Sequence, residues 1–189
     1  YVAEEEGDKA GGQIGSWLAS QELRTGGIAL RDYNFGDPSL DLEVDTKTRI
    51  AVGGNDRFEK YDYPGDYENL DRGQSLVKPR MEAEEAAAKE IRGSGSCSTF
   101  VPGHRFDLRG HYRKSFNTTY LVTSVQHDLT QAVGGESEAA ASYDNGFTCI
   151  PHSIPYRPPL TTPRPSIPGA QTAIVTGAPA TDWTLCTKR

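Results

Sequence analysis

Two stretches decide the fold: residues 106–131, FDLRGHYRKSFNTTYLVTSVQHDLTQ, and residues 143–159, YDNGFTCIPHSIPYRPP. Apolar side chains alternate between two faces from Thr119 to Leu129, which is the pattern of a strand with one buried face. One face carries Tyr120 and Val122, and the other carries Leu121, Val125 and Leu129.

The chain then turns back on itself. Residues 131–143 are polar and predict a loop, and Asp144-Asn145-Gly146 predicts a turn because Asn and Gly tolerate positive φ. A short strand at 147–150 follows.

Upstream of the central strand, Cys97–Val101 and Arg105–Leu108 predict two strands joined by a turn at Pro102-Gly103. We therefore expect an antiparallel sheet across 97–150. Its buried side chains should include Leu121, Val125 and Phe147.

The N-terminal half predicts shorter strands and one helix. Strand patterns begin at Ile28 and at Ser39, with Leu40, Leu42 and Val44 in register, and Ile14–Glu22 offers Trp17 and Leu18 as apolar anchors. Residues 77–93, VKPRMEAEEAAAKEIRG, predict a helix with Pro79 in its first turn and Gly93 just beyond its end.

Proline dominates the segment 151–168, which holds seven of the twelve prolines in the chain. Proline fixes φ and lacks an N–H donor, so this segment cannot form a regular helix. We expect an ordered, extended connector that contacts the sheet domain through the apolar side chains of Ile154, Tyr156, Leu160 and Ile167.

Three strings, YLVTSVQHDLTQ, FTCIPHSIPYRPP and TPRPSIPGAQTAIVTG, occur in this order and resemble the VgrG family, the trimeric spike-tip proteins of type VI secretion, which are similar to phage baseplate hubs. The resemblance extends back through FVPGHRFDL, YDYPGDY and LRDYNFGDPSLDLE. It covers about the last six-sevenths of the chain.

The resemblance implies a mainly β (α+β) chain: an antiparallel β-barrel-like hub domain with one main helix, followed by the first strands of an OB-fold. The expected divisions are a flexible acidic segment at 1–13, the later part of the hub at 14–160, a Pro-rich linker at 161–170 and the start of the OB-fold at 171–189. Because family members are longer and this chain begins at Tyr1, we expect a fragment.

Function follows from the same resemblance. It implies a homotrimeric hub that caps the Hcp tube, helps to puncture target membranes, and carries a cap protein and effectors through C-terminal regions, next to baseplate proteins. It also implies synthesis in the bacterial cytoplasm and release without a signal peptide. The open alternatives are a prophage baseplate hub and a secreted glycan-binding or glycan-hydrolysing β domain.

Composition limits other functions. The net charge is −6 and the pI is about 5.2, which argues against general nucleic-acid binding, because phosphate neutralisation needs clustered cations. No apolar run approaches the roughly 20 residues that span a bilayer, and no signal sequence opens the chain. The three cysteines form no zinc spacing such as CxxC.

We predict no catalytic, cofactor-binding or metal-binding residue and no enzyme, because a structural role explains each candidate group better. The histidines match no HExxH or HxH spacing, Cys149 lacks a visible activating base beyond nearby His152, and the helical carboxylates predict a solvated face. Asn117 heads a formal glycosylation sequence that we interpret as a turn. The candidate groups are a sugar platform of Tyr61, Tyr63, Tyr67, Asp62, Asp66 and Glu68; the histidines His104, His111, His127 and His152; the carboxylates Glu82, Glu84 and Glu90; and Cys149.

Overall fold

The computed structural model describes residues 2–4, 12–131, 141–163, 165–170 and 172. It contains ten regular elements and two short 3-10 turns, at Asn55–Arg57 and Lys114–Phe116. The elements are β1 (Val2–Glu4), β2 (Ile14–Gln21), β3 (Gly27–Asp32), β4 (Leu42–Lys47), β5 (Glu59–Asp62), α1 (Leu70–Ala87), β6 (Lys89–Gly95), β7 (Arg105–Arg109), β8 (Thr119–Thr130) and β9 (Ser142–Pro151).

Two sheets share these strands. The larger sheet has the order β1-β7-β8-β9-β6-β2, with every neighbour antiparallel, and it curls as a half-barrel. The smaller sheet has the order β4-β3-β5, in which β3 and β5 run parallel. The predicted mainly β chain with one main helix is confirmed.

Aromatic side chains fill the core of the larger sheet. Phe100 packs on Phe106 and on Phe147, with ring centroids 4.7 Å and 4.9 Å away, and Trp17 meets Tyr120 edge-on at 4.9 Å. Such edge and tilted pairs add about 0.5–1.5 kcal/mol each beyond their area burial. The prediction of Trp17 as an anchor is confirmed, whereas Leu18 points outward and is 68% exposed.

Helix α1 covers the smaller sheet. Val77 and Met81 pack on Leu30 and Leu42 in a second apolar cluster. Tyr67, just before the helix, is also buried there, and its hydroxyl donates to the Leu30 carbonyl at 2.8 Å and to that of Leu42. One phenol therefore ties β3 to β4 from inside the core.

The helix differs from the prediction at both ends. It begins seven residues before Val77, because the Asn69 side chain caps it by accepting from Arg72 N at 2.9 Å, and Pro79 lies inside it rather than in its first turn. It ends at Ala87, since the next residues form β6. Strand pairing on both sides of Ile91, which is fully buried, overrides the helix propensity of this segment.

Two predicted features around the hairpin are wrong. Cys97–Val101 forms a turn and not a strand, and 144–146 lies inside β9 and not in a turn. Asn145 connects the two features. It lies in β9, and its buried side-chain amide donates to the Cys97 carbonyl, which fixes the turn after β6 to strand β9. Arg105–Leu108 and Thr119–Leu129 do form the predicted strands.

A bulge in β8 changes which side chains are buried. The register with β9 shifts between Val122 and Ser124, which reverses the alternation beyond that point. Val125 therefore packs against the core that Tyr120 and Val122 also line, while Leu121 is half-buried. Burial of Phe147 is confirmed, whereas full burial of Leu121 and Val125 is not observed.

The connector contacts the domain over its first half. His152 N donates to the Thr119 carbonyl at 3.1 Å, and Ile154 is half-buried. Leu160 and Ile167, however, are 81% and 70% exposed, so they do not pack as predicted. The predicted flexible segment apart from 2–4 and 12–13, the loop at 132–140, and 171–189 apart from 172 lie outside the described residues.

The contact between Gly93 and Phe147 gives a stability prediction. A Cβ on Gly93 would lie 2.4 Å from Phe147 Cζ, whereas a Cβ on Gly146, also in the sheet, meets nothing within 4 Å. We expect Gly93→Ala to lower the free energy of unfolding by about 1–3 kcal/mol and Gly146→Ala to change it by less than about 0.5 kcal/mol. Urea unfolding measures both, and equal effects would contradict the packing.

The Tyr67 hydroxyl gives a second prediction. Tyr67→Phe leaves two buried carbonyls without their donor, so we expect a loss of about 1–3 kcal/mol in urea unfolding. Tyr61, which is 55% exposed, provides the control, and Tyr61→Phe should be neutral. A neutral Tyr67→Phe variant would show that the hydroxyl does not hold β3 and β4 together.

Candidate functional site

A network of ion pairs lies at the seam between the two sheets, around the last turns of α1. Helix α1 leads into β6 through Ala88 alone, and Glu22 N donates to the Ala88 carbonyl at 3.0 Å. The last two turns of the helix therefore lie between the smaller sheet and the connector. They present Glu82 and Glu85, which are 7% and 3% exposed.

Glu85 is fully occupied by the loop after β4. Its Oε1 accepts from Thr48 Oγ1 at 2.9 Å and from Arg49 N at 2.5 Å, and its Oε2 accepts from Arg49 Nη2 at 3.3 Å. A buried carboxylate is stable only when its oxygens are satisfied in this way. Glu85 therefore fixes the loop to the helix.

Glu82 binds the connector. Arg157 Nε donates to Glu82 Oε2 at 2.7 Å, and Arg49 Nη2 lies 3.8 Å from Glu82 Oε1. The hydrogen bond from Arg157 is the main reason that the pKa of Glu82 lies below its ordinary value of 4.5, against the opposing effect of burial. The prediction that Glu82 is solvated is wrong, because Arg157 arrives from 75 residues away in sequence.

An outer pair of contacts extends the network toward solvent. Glu84 accepts from Lys60 Nζ at 2.9 Å and from Arg24 Nη1 at 3.4 Å. Lys60 is 60% exposed in its side chain, so its pair with Glu84 adds little stability. Lys60 links β5 to the helix, and Arg24 links the β2–β3 loop to the same carboxylate.

A cavity of about 300 Å³ opens beside this network. Its wall is mostly apolar, with Ile50, Val52, Met81 and Ile154, and its polar lining includes Glu85 and Lys89. Glu85 is bound by Thr48 and Arg49, so its carboxylate is not free to act as an acid or base toward a molecule in the cavity. Its geometry suits an apolar side chain better than a reacting substrate.

The proposed sugar platform is not assembled. Tyr67 is buried with its hydroxyl bound to backbone, and Asp62 forms an ion pair with Arg80 at 2.5 Å. Tyr61 and Tyr63 are exposed, but a stacking site needs the third ring and free carboxylates beside them. Tyr67 is therefore not available to stack on a sugar, and the Asp62 carboxylate is already bound to Arg80.

The four histidines have separate surroundings. His104 and His152 are exposed, His111 is buried against Phe116, and His127 Nδ1 lies 2.6 Å from the Tyr143 hydroxyl. Among the residues that the structure describes, no three His, Cys, Asp or Glu side chains are grouped to hold a metal. The same part of the chain contains no helix long and apolar enough to cross a membrane.

Cys149 and Asn117 have structural roles. Cys149 is fully buried on β9, and desolvation raises the pKa of its thiol far above the usual range, which disfavours the reactive thiolate. The Asn117 amide donates to the His111 carbonyl at 3.0 Å, so it closes a turn as predicted. Glu90 lies on β6, not on the helix, and pairs with Arg92 at 2.8 Å.

Sequence reasoning missed the role of the seam, although a signal was present. Glu82 and Glu85 are three residues apart, so a helix places them on one face, and two buried acids on one face need cationic partners. Arg49 and Arg157 provide those partners from loops whose positions only the tertiary fold determines.

Comparison with known proteins identifies relatives of this fold and sequence. A profile of the phage tail baseplate hub (GPD) family matches residues 1–133. The type VI secretion system spike protein VgrG2b of Pseudomonas aeruginosa is 34% identical over 183 residues, covering 94% of this chain and 18% of that protein. VgrG1b of the same organism is 32% identical over 171 residues, covering 89% and 23%.

A solved structure shows the same fold. The crystal structure of the tail protein from Neisseria meningitidis MC58 matches with a TM-score of 0.53 at 12% identity, covering 80% of this chain and 43% of that one. The chain spans about a fifth of the length of the VgrG relatives. With the profile match across most of its length, the chain belongs to the phage tail baseplate hub (GPD) family and is similar to the VgrG spike proteins of type VI secretion.

Proposed function

We propose that the chain is a structural part of a type VI secretion spike, a hub segment that docks on the Hcp tube and carries the spike. The observation that supports this most directly is identity of 30–34% to proteins named as type VI spike proteins, over 86–94% of this chain. Among the described residues, the buried polar groups Glu82, Glu85 and Tyr67 are hydrogen-bonded or ion-paired within the chain, which is consistent with a structural role.

The domain organisation proposed from sequence fits this role. We propose residues 14–160 as the later hub region, 161–170 as a linker and 171–189, which apart from 172 lie outside the described residues, as the start of an OB-fold. The described connector supports the first boundary, because Arg157 is still bound to α1 whereas Leu160 is 81% exposed. Contact with the hub therefore weakens close to residue 160.

The assembled state that we propose is a homotrimer. Cap protein, effectors and baseplate proteins belong to regions of the full spike outside this hub. We also propose that the chain has no enzymatic activity and is exported by the secretion machine itself. A phage-derived hub is the second candidate, because the matching family is named for the phage tail baseplate hub and the matching crystal structure is that of a tail protein.

Tube binding tests the proposal. The chain should co-sediment with preformed tubes of a type VI tube protein from the organism of origin and should not co-sediment with a phage tail tube protein. Tubes whose two ends are blocked by a cross-linked ring of the same tube protein provide the control, because any binding to them must occur along the side of the tube. Binding to the phage tube alone would support the second candidate, and binding to neither would contradict a tube-docking hub.

The bond between Arg157 and Glu82 gives a prediction about the connector. Arg157→Gln removes the main cause of the low pKa of Glu82, so the connector should detach, and limited chymotrypsin digestion after Tyr156 and Leu160 should accelerate by about tenfold or more. Arg92→Gln, which breaks the exposed pair with Glu90, is the matched control.

The same bond predicts a pH dependence. A carboxyl group whose folded pKa is lowered contributes stability above its unfolded pKa and loses it as the pH falls through the folded value. Digestion of the wild-type connector, measured with an acid-active protease, should therefore accelerate below about pH 4.5 more than digestion of Arg157→Gln. Identical acid profiles would show that Glu82 does not hold the connector.

A further inference from the structure

The loop between β7 and β8 is rigidly built. His111 N donates to Asn117 Oδ1 at 2.9 Å, and Asn117 Nδ2 returns a bond to the His111 carbonyl at 3.0 Å. Arg113 N also donates to His111 Nδ1 at 3.0 Å. This buried histidine therefore fixes the backbone on both sides of Tyr112.

The loop displays one aromatic and two cationic side chains. Tyr112 is 84% exposed and stacks on His111 with ring centroids 4.4 Å apart. The Arg113 guanidinium lies 4.7 Å from the Phe116 ring centre, and its Nε donates to Ser115 Oγ at 3.1 Å. Lys114 is exposed, and neither cation is ion-paired with a described residue. We call residues 112–114 the basic loop.

A complementary surface lies at the far end of the same hairpin. Asp128 of β8 stands directly opposite Asp144 of β9, and both are exposed. Like charges at directly opposed positions of an antiparallel pair are destabilising. Neighbouring strands do not reach this end, because β7 pairs with β8 only up to Leu121 and β6 pairs with β9 only from Asn145 onward. We call Asp128 and Asp144 the acidic ladder.

One chain cannot bring these two surfaces together. The basic loop precedes Thr119, and Asp128 lies nine residues further along an extended strand, which is about 30 Å at 3.3 Å per residue. No lysine or arginine side chain spans that distance. The cations and the carboxylates can therefore meet only between two molecules.

We propose that the basic loop of one subunit docks on the acidic ladder of a second copy of this chain. The contact uses a different surface on each partner, so it is heterologous and closes into a ring when the rotation between subunits permits. This inference deepens the proposed homotrimer and rests on it. It assigns the subunit contact to Tyr112, Arg113 and Lys114 on one side and to Asp128 and Asp144 on the other.

The arrangement has the properties of a specific contact. Arg113 and Tyr112 are held in place before binding, so little side-chain freedom is lost when the partner arrives, and Tyr and Arg are the residue types that dominate interface energies. The approach of two cations also relieves the repulsion between the opposed aspartates. Because the pairs are near the surface, association should weaken as salt is added.

Charge reversal provides the test. Sedimentation equilibrium of the chain in about 20 mM salt should show self-association that weakens by 150 mM salt. Arg113→Glu/Lys114→Glu and Asp128→Lys/Asp144→Lys should each weaken association by at least about tenfold. The fourfold variant that combines both reversals should recover the wild-type constant to within about threefold, because the charges are then exchanged between partners.

Matched controls separate this contact from net charge and from folding. Lys47→Glu/Arg72→Glu makes the same change in net charge as Arg113→Glu/Lys114→Glu, at exposed positions elsewhere, and should leave association unchanged. Circular dichroism confirms that each variant is folded. A monomeric wild-type chain, a reversal no stronger than the control, or a fourfold variant that stays dissociated would each overturn the proposal.

Tube binding keeps the two proposals distinguishable. If the chain associates and binds the tube but ignores the charge reversals, the assigned contact is wrong and the hub function stands. If the reversals act as expected but no tube is bound, the self-contact stands and the tube-docking role is wrong.

Discussion

Strand β6 lies between β2 and β9, and much of the remaining structure depends on that placement. It is the second strand from one edge of the larger sheet and forms two of the five antiparallel pairings, and Ile91 near its middle is fully buried. Gly93 admits the Phe147 ring where any side chain would collide with it. Only Ala88 separates α1 from β6, so the position of β6 in the larger sheet also determines where the helix packs on the smaller sheet. The two cores are thus coupled through covalent geometry rather than through a large apolar interface.

The buried acids at the seam follow from this coupling. Near the end of α1, Glu82 and Glu85 are buried, and they bind the connector and the loop after β4. Removing one partner of such a pair is costly because a charge stays buried without compensation. The seam therefore gives positional specificity to Arg49 and Arg157, which the thin apolar core alone does not supply.

The sequence predicted the strands that have local signals and missed features set by distant partners. Alternation located β7 and β8, and proline chemistry described the connector near Pro151. The end of α1 was misplaced because Lys89 to Gly93 has helical composition, while its strand state comes from pairing with residues about 70 positions before it and 60 after it. The predicted turn at Asn145 was wrong for the same reason, because the side chain of Asn145 binds the distant Cys97 carbonyl. At the seam, the acids were visible in sequence but their cationic partners were not.

The one-residue junction between α1 and β6 also has a mechanical consequence. A pull on the connector enters the domain by two routes: along the backbone into β9, which ends at Pro151, and through Arg157 into Glu82 of the helix. The second route continues through Ala88 into β6, a strand bonded on both edges. Load directed along that strand acts on all of its ladder hydrogen bonds together, in shear, instead of opening them one after another. The ion pair shares the load with the covalent link at Pro151, so an overloaded connector would first lose its contact at Arg157 and then pull on β9 alone.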